Sequence, residues 1–186
     1  FSGNLFIIAA GAILGPVAVG ATRMAQNIVG VTHVLFLAME NIIPTRAANH
    51  QRIAGNHGMF KYLWKFTLQM GLITFTLLAL IAIFSGNIIE LCYGKAFMEY
   101  RHILIGFCAL YVIVFLGYPL RYAIRTMEKT HLIFVSFVAS AIFSIISAYP
   151  IIKTFGLNGV VAGLMITQLI TLFIYLFNIR KEIKHL

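Results

Sequence analysis

Six polar residues inside one apolar stretch are the chain's best candidates for chemistry. Between Val17 and Ile43 stand Arg23, Gln26, Asn27, His33, Glu40 and Asn41. At roughly 100° per residue they share, with Gly30, a helical arc of about 140°. The opposite side presents Ala25, Val29, Val31, Leu35, Phe36 and Met39. Charged groups within a membrane are costly and normally face a bundle interior or a wet cavity. The arc therefore reads as a hydrated, substrate-binding face, with hydrogen bonding between helices as the alternative. Arg23 and Glu40 stand about 26 Å apart along a helix, too far to pair directly. Each could snorkel to its own end, but that leaves Gln26, Asn27 and His33 unexplained.

The single roles divide as follows. Arg23, about one turn from the outer end, could hold an anionic group. His33 is a hydrogen-bonding residue or a proton carrier. Glu40, followed by Asn41 and Pro44, is a partner for Arg46 or a neighbouring arginine, or else a gate. Arg121 and Arg125, one turn apart, are a topology and lipid-anchoring pair, or a contact for a phosphate headgroup from the inner leaflet.

Other chemistry is excluded by what is missing. The chain has five Glu and no Asp. Aspartyl nucleophiles, Asp-based metal sites and a Walker B acid are thereby ruled out, and no G-x-x-x-x-G-K-[ST] occurs. Nucleotide hydrolysis, a catalytic site, a metal and a cofactor are all unexpected. Cys92 and Cys108 have no C-x-x-C or His-linked spacing and are expected as buried thiols.

The elements that must position these groups follow from composition. Of 186 residues, 61% are hydrophobic and 10% charged, against about 25% charged in soluble domains. A soluble core could not hide that much apolar surface. A soluble enzyme, a disordered chain and a disulfide-stapled domain are set aside, and the solvent must be mainly lipid. About 20 apolar residues cross the hydrocarbon as a helix. Residues 63–84, 103–120, 132–152 and 157–179 qualify plainly, and 17–43 qualifies with its polar face. Residues 5–14 form a sixth, short span. The expected fold is an all-α integral membrane lobe of six transmembrane helices, with a tail at 180–186. Turns are expected at Gly15-Pro16, Pro44 and Ser85-Gly86-Asn87, with Pro119 and Pro150 near the ends of later spans.

Charge then orients the spans. Ten of the 14 Lys and Arg fall after the second span, after the fourth and at the C-terminus. The positive-inside rule makes that side, and both chain ends, cytoplasmic. The formal +9 is thus a topology signal and not a nucleic-acid footprint. Gly11-x-x-x-Gly15, Gly159-x-x-x-Gly163 and the ridge Ser136, Ser140, Ser144 and Ala148 are small-residue packing faces. Trp64, Tyr62, Tyr93, Tyr100 and Tyr118 read as an aromatic belt. The opening Phe1-Ser2-Gly3-Asn4 has no initiator Met, as if continuing a longer polypeptide.

The stretch AVGATRMAQNIVGVTHVLFLAMENIIPTRAA, residues 18–48, resembles the eighth helix of bacterial polysaccharide flippases. These belong to the multidrug/oligosaccharidyl-lipid/polysaccharide exporter superfamily. Matching positions are Gly20, Arg23, Ala25, Gln26, Asn27, Gly30, Glu40, Asn41, Pro44, Arg46, Ala47 and Ala48. Thr22 departs where an aromatic is common, and Leu37 where a polar residue is. Tyr118 to Arg121 with Arg125, Lys129 and Thr130 resembles the family's tenth-helix end, and residues 156–163 its last helix. The resemblance implies the C-terminal lobe of a twelve-helix flippase in the bacterial cytoplasmic membrane, its N-terminal six-helix partner lobe lying outside this sequence. It implies a polyprenyl-diphosphate-linked oligosaccharide as substrate, moved by alternating access for cell-surface polysaccharide biosynthesis. Membrane lipids, a polysaccharide polymerase and glycosyltransferases are the implied partners. A multidrug extrusion antiporter of the same superfamily, or a non-transporting assembly subunit, is the alternative.

Overall fold

The computed structural model describes residues 2–183, and the side chains of residues 5–181. Its elements are α1 (Ser2–Leu14), α2 (Pro16–Val29), α3 (Val31–Ile83), α4 (Ser85–Tyr93), a 3-10 turn (Lys95–Tyr100), α5 (Arg101–Thr126) and α6 (His131–Ile183). No strand occurs among the described residues. Three stretches, Val31–Ile83, Lys95–Thr126 and His131–Lys181, are long and apolar enough to cross a membrane, and Leu5–Leu14 is a shorter apolar helix. Large apolar side chains such as Leu72, Phe134, Ile145 and Phe173 point outward. A folded chain that turns such residues out suits hydrocarbon, where the outside need not be polar. The protein is helical and membrane-embedded.

Glycine, more than proline, sets where the helices break. Gly15 adopts φ 88 and Pro16 opens α2, the position where a missing N–H costs nothing. Pro44, expected to end a span, lies inside α3, and Pro119 and Pro150 lie inside α5 and α6. In a bundle, neighbouring groups compensate for the lost hydrogen bond. The helical path of α3 is instead interrupted at Ala54 (φ −131, ψ 20) and Gly55 (φ 63, ψ −165), and that of α6 at Gly156 (φ 57, ψ −136). The Gly55 conformation is essentially closed to residues with a Cβ.

Each kink divides its helix into two limbs, 31–53 and 56–83 in α3, and 131–155 and 157–183 in α6. The limbs of α6 lie side by side. Ser136 Oγ donates to Tyr175 Oη at 3.2 Å, and Ser140 Oγ meets the Thr167 carbonyl at 3.2 Å and Thr171 Oγ1 at 3.1 Å. The serine ridge is therefore a hydrogen-bonded seam as well as a close-packing face.

Two apolar clusters hold the helices. One gathers Phe6, Met24, Val29, Leu78, Ile89, Leu104, Phe107, Ile152 and Leu164 from all six helices. The other gathers Phe36, Met39, Ile43, Met59, Leu63, Phe115, Tyr122, Tyr175 and Ile179. Helix α5 contributes to both and packs against α2, α3 and α6, while α1 packs on α6. Gly163 lets α1 approach: a Cβ there would collide with the Phe6 ring. Gly11 faces Val19, whereas Gly15 has open space around it and serves the turn. Cys108 is buried as expected, but Cys92 is exposed.

Candidate functional site

The polar arc is divided among three environments. Its first part surrounds Arg23, which is exposed and donates from Nη1 to Gln26 Oε1 at 3.1 Å. Asn27 turns away toward α4, its Nδ2 donating to Tyr93 Oη at 3.4 Å. The middle of the arc borders an open cavity, with Gln26 half-buried and His33 exposed. Gln26 and His33 line a cavity of about 230 Å³ with Phe107, Leu110, Tyr111, Val114, Tyr118, Leu164 and Gln168. Arg23 does not line this cavity but touches its edge through Gln26.

The C-terminal end of the arc is an ion cluster. Glu40 Oε1 lies 3.1 Å from Arg125 Nη1 and 3.4 Å from Arg121 Nη2. Of the two expected kinds of partner, Arg46 or a neighbouring arginine, Glu40 takes the second; Arg46 lies in a separate groove, with Lys61 and Lys65. Asn41 is exposed. Glu40 therefore spans two cations one turn apart on α5 and leaves a net positive charge at that end. Their side chains remain about a third exposed, so solvent screens the pairing and its net stabilisation is modest.

Between these ends lies a second cavity of about 170 Å³. It is lined by Val114, Gly117, Tyr118, Arg121, Phe137, Ser140, Thr167, Gln168, Thr171 and Tyr175. Val114, Tyr118 and Gln168 belong to both cavities. A polar path thus runs from Gln26 and His33, past Gln168 and Tyr118, to Arg121. Tyr111 and Val114 pack on both apolar clusters, so the path follows the seam between them. Amide, hydroxyl and imidazole groups converge there with one guanidinium. No carboxylate lines either cavity among the described residues. Such a lining can hydrogen-bond hydroxyl-rich groups and attract anions.

Gln168, Tyr111 and Thr171 did not stand out in the sequence, and Tyr118 read as part of an interfacial belt. Gln168 carried one signal: it is an amide in the middle of the apolar run 157–179. Its partners are set by how α6 returns at Gly156; the break falls between the expected spans 132–152 and 157–179, but no local pattern specifies which residues then meet. Arg121 Nε and Tyr122 Oη are buried without a hydrogen-bond partner. The first adds donor capacity beside the second cavity.

Searches of family models, curated proteins and solved structures return no match for this chain.

Proposed function

We propose that this chain is one lobe of a membrane transporter that passes a lipid-linked oligosaccharide across the bacterial cytoplasmic membrane. Taking the kinks at Gly55 and Gly156 as membrane turns makes six passages, with both ends cytoplasmic by charge. The observation that carries the reading is the convergence of Gln26, His33 and Gln168 on one cavity that continues to Arg121. Sugar hydroxyls would bond the amides, His33 and the tyrosine hydroxyls, while Arg23 and Arg121 would attract the diphosphate at either end. The polyprenyl tail would stay in lipid. Transport would follow from one lobe rocking against a partner around the midplane site.

The resemblance over residues 18–48 supports the same substrate class. Extrusion of organic cations is disfavoured because the one carboxylate on the arc, Glu40, is already engaged by two arginines. The test is glycan export in cells carrying Arg23→Ala or Gln168→Ala at normal protein level. Reduced export supports the path. Undiminished export by both variants sinks it, and loss of the protein from the membrane favours an assembly role.

A further inference from the structure

We propose a second site, outside that path, in which the two limbs of α3 clasp a phosphate group at the membrane surface. The proposal rests on the membrane placement and not on the transported substrate.

The groove has a volume of about 640 Å³ and shares no residue with the two cavities. Limb 31–53 contributes Arg46 and His50, and limb 56–83 contributes Lys61 and Lys65. Each pair is spaced i, i+4, so each places both members on one helical face. The backbone at Gly55 turns these faces toward one groove. His50 stacks on Tyr62, with ring centroids 4.6 Å apart and planes at 19°, which holds the floor in place.

Among the described residues no acid lines this groove, and Arg46, Lys61 and Lys65 join none of the ion pairs. Like charges at i, i+4 repel. The same chain answers that repulsion at Arg121 and Arg125 by placing Glu40 between them. Here the corresponding position is left open to an outside anion. Three cations around a concave surface suit a phosphate, with Arg46 able to donate two parallel bonds and the lysines acting as point charges.

The groove also has an apolar end. Moving away from the kink, its lining passes from Gly58 and Lys61 to Phe66 and Met70. A cationic mouth leading onto apolar side chains fits a phosphate carried on a hydrocarbon tail. A lipid headgroup and a free phosphate share the recognised chemistry, and two probes separate them.

The purified protein in uncharged detergent is titrated with short-chain phosphatidic acid and, separately, with inorganic diphosphate. The double substitution Lys61→Gln/Lys65→Gln should weaken binding about tenfold or more, from the usual contribution of each cation near a lipid surface. Lys61→Arg/Lys65→Arg should retain it. Arg180→Gln/Lys181→Gln, which removes the same charge elsewhere, should change it by less than about twofold. Preference for phosphatidic acid identifies a lipid headgroup, and equal binding of diphosphate identifies free phosphate. Either result supports the site when the groove variant loses it. Equal binding by wild type and Lys61→Gln/Lys65→Gln overturns the proposal, as does an equal loss in the Arg180/Lys181 control. None of these readouts depends on glycan export.

Discussion

Glu40 Oε1 and Arg125 Nη1 meet at 3.1 Å across 85 residues of sequence. The contact ties the polar limb of α3 to the end of α5, and Arg121 approaches the same oxygen at 3.4 Å. Removing the carboxylate leaves two like charges side by side. Glu40→Gln should cost about 1–2 kcal/mol, below the 3–5 kcal/mol of a fully buried pair because solvent reaches all three groups. Glu40→Gln combined with Arg125→Gln should cost less than the sum of the two changes. Thermal unfolding of the four proteins in detergent reads this coupling, and strict additivity would refute it.

Gly163 and Phe6 are interlocked, the ring occupying the space a Cβ would need. Gly163→Ala should destabilise by about 1–3 kcal/mol through overpacking. Adding Phe6→Ala should recover part of that loss, although Phe6→Ala alone opens a cavity. The midpoint of thermal unfolding for each single and double variant checks the prediction, and no recovery would place Gly163 elsewhere.

The kink at Gly55 requires a conformation with φ 63 and ψ −165. Gly55→Ala should cost about 1–3 kcal/mol. It should also weaken phosphatidic acid binding, because the two limbs would no longer hold their facing pairs. Unfolding and lipid titration on one preparation test both halves, and unchanged stability would contradict the geometry.

The end of α5 offers a gain instead. Glu128 has φ 59, and the Glu128 and Lys129 amides donate to the carbonyls of Arg125 and Ile124, each at 3.1 Å. This pair of bonds is the Schellman ending, whose left-handed position favours glycine. Glu128→Gly should raise stability by about 1 kcal/mol by relieving the Cβ clash. A lowered unfolding midpoint would show that the Glu128 side chain contributes more than its backbone strain costs.

What the amino-acid sequence determined by itself is the solvent and the polar face. Low charge and long apolar runs demand a helical membrane protein, since only a helix satisfies its own backbone in lipid. Helical periodicity alone put Gln26 and His33 on one side, and both line the cavity. Small residues likewise marked Gly163 as a place of close approach.

Tertiary structure decided which polar groups meet. Periodicity assigns a residue to a face but says nothing of which distant face it meets. Thus Glu40 pairs with Arg121 and Arg125 and not with Arg46, which is closer in sequence. Asn27, on the same arc as Gln26, bonds Tyr93 outside the cavity. Gln168 and Tyr118 became lining residues only because Gly156 returns α6 and α5 runs between the clusters. The prolines were the most visible breakers, yet the helices pass through Pro44, Pro119 and Pro150. Packing can compensate for one lost backbone hydrogen bond, whereas the positive φ with extended ψ at Gly55 and Gly156 favours a residue without a side chain. That difference gave Gly55 and Gly156 the two decisive bends.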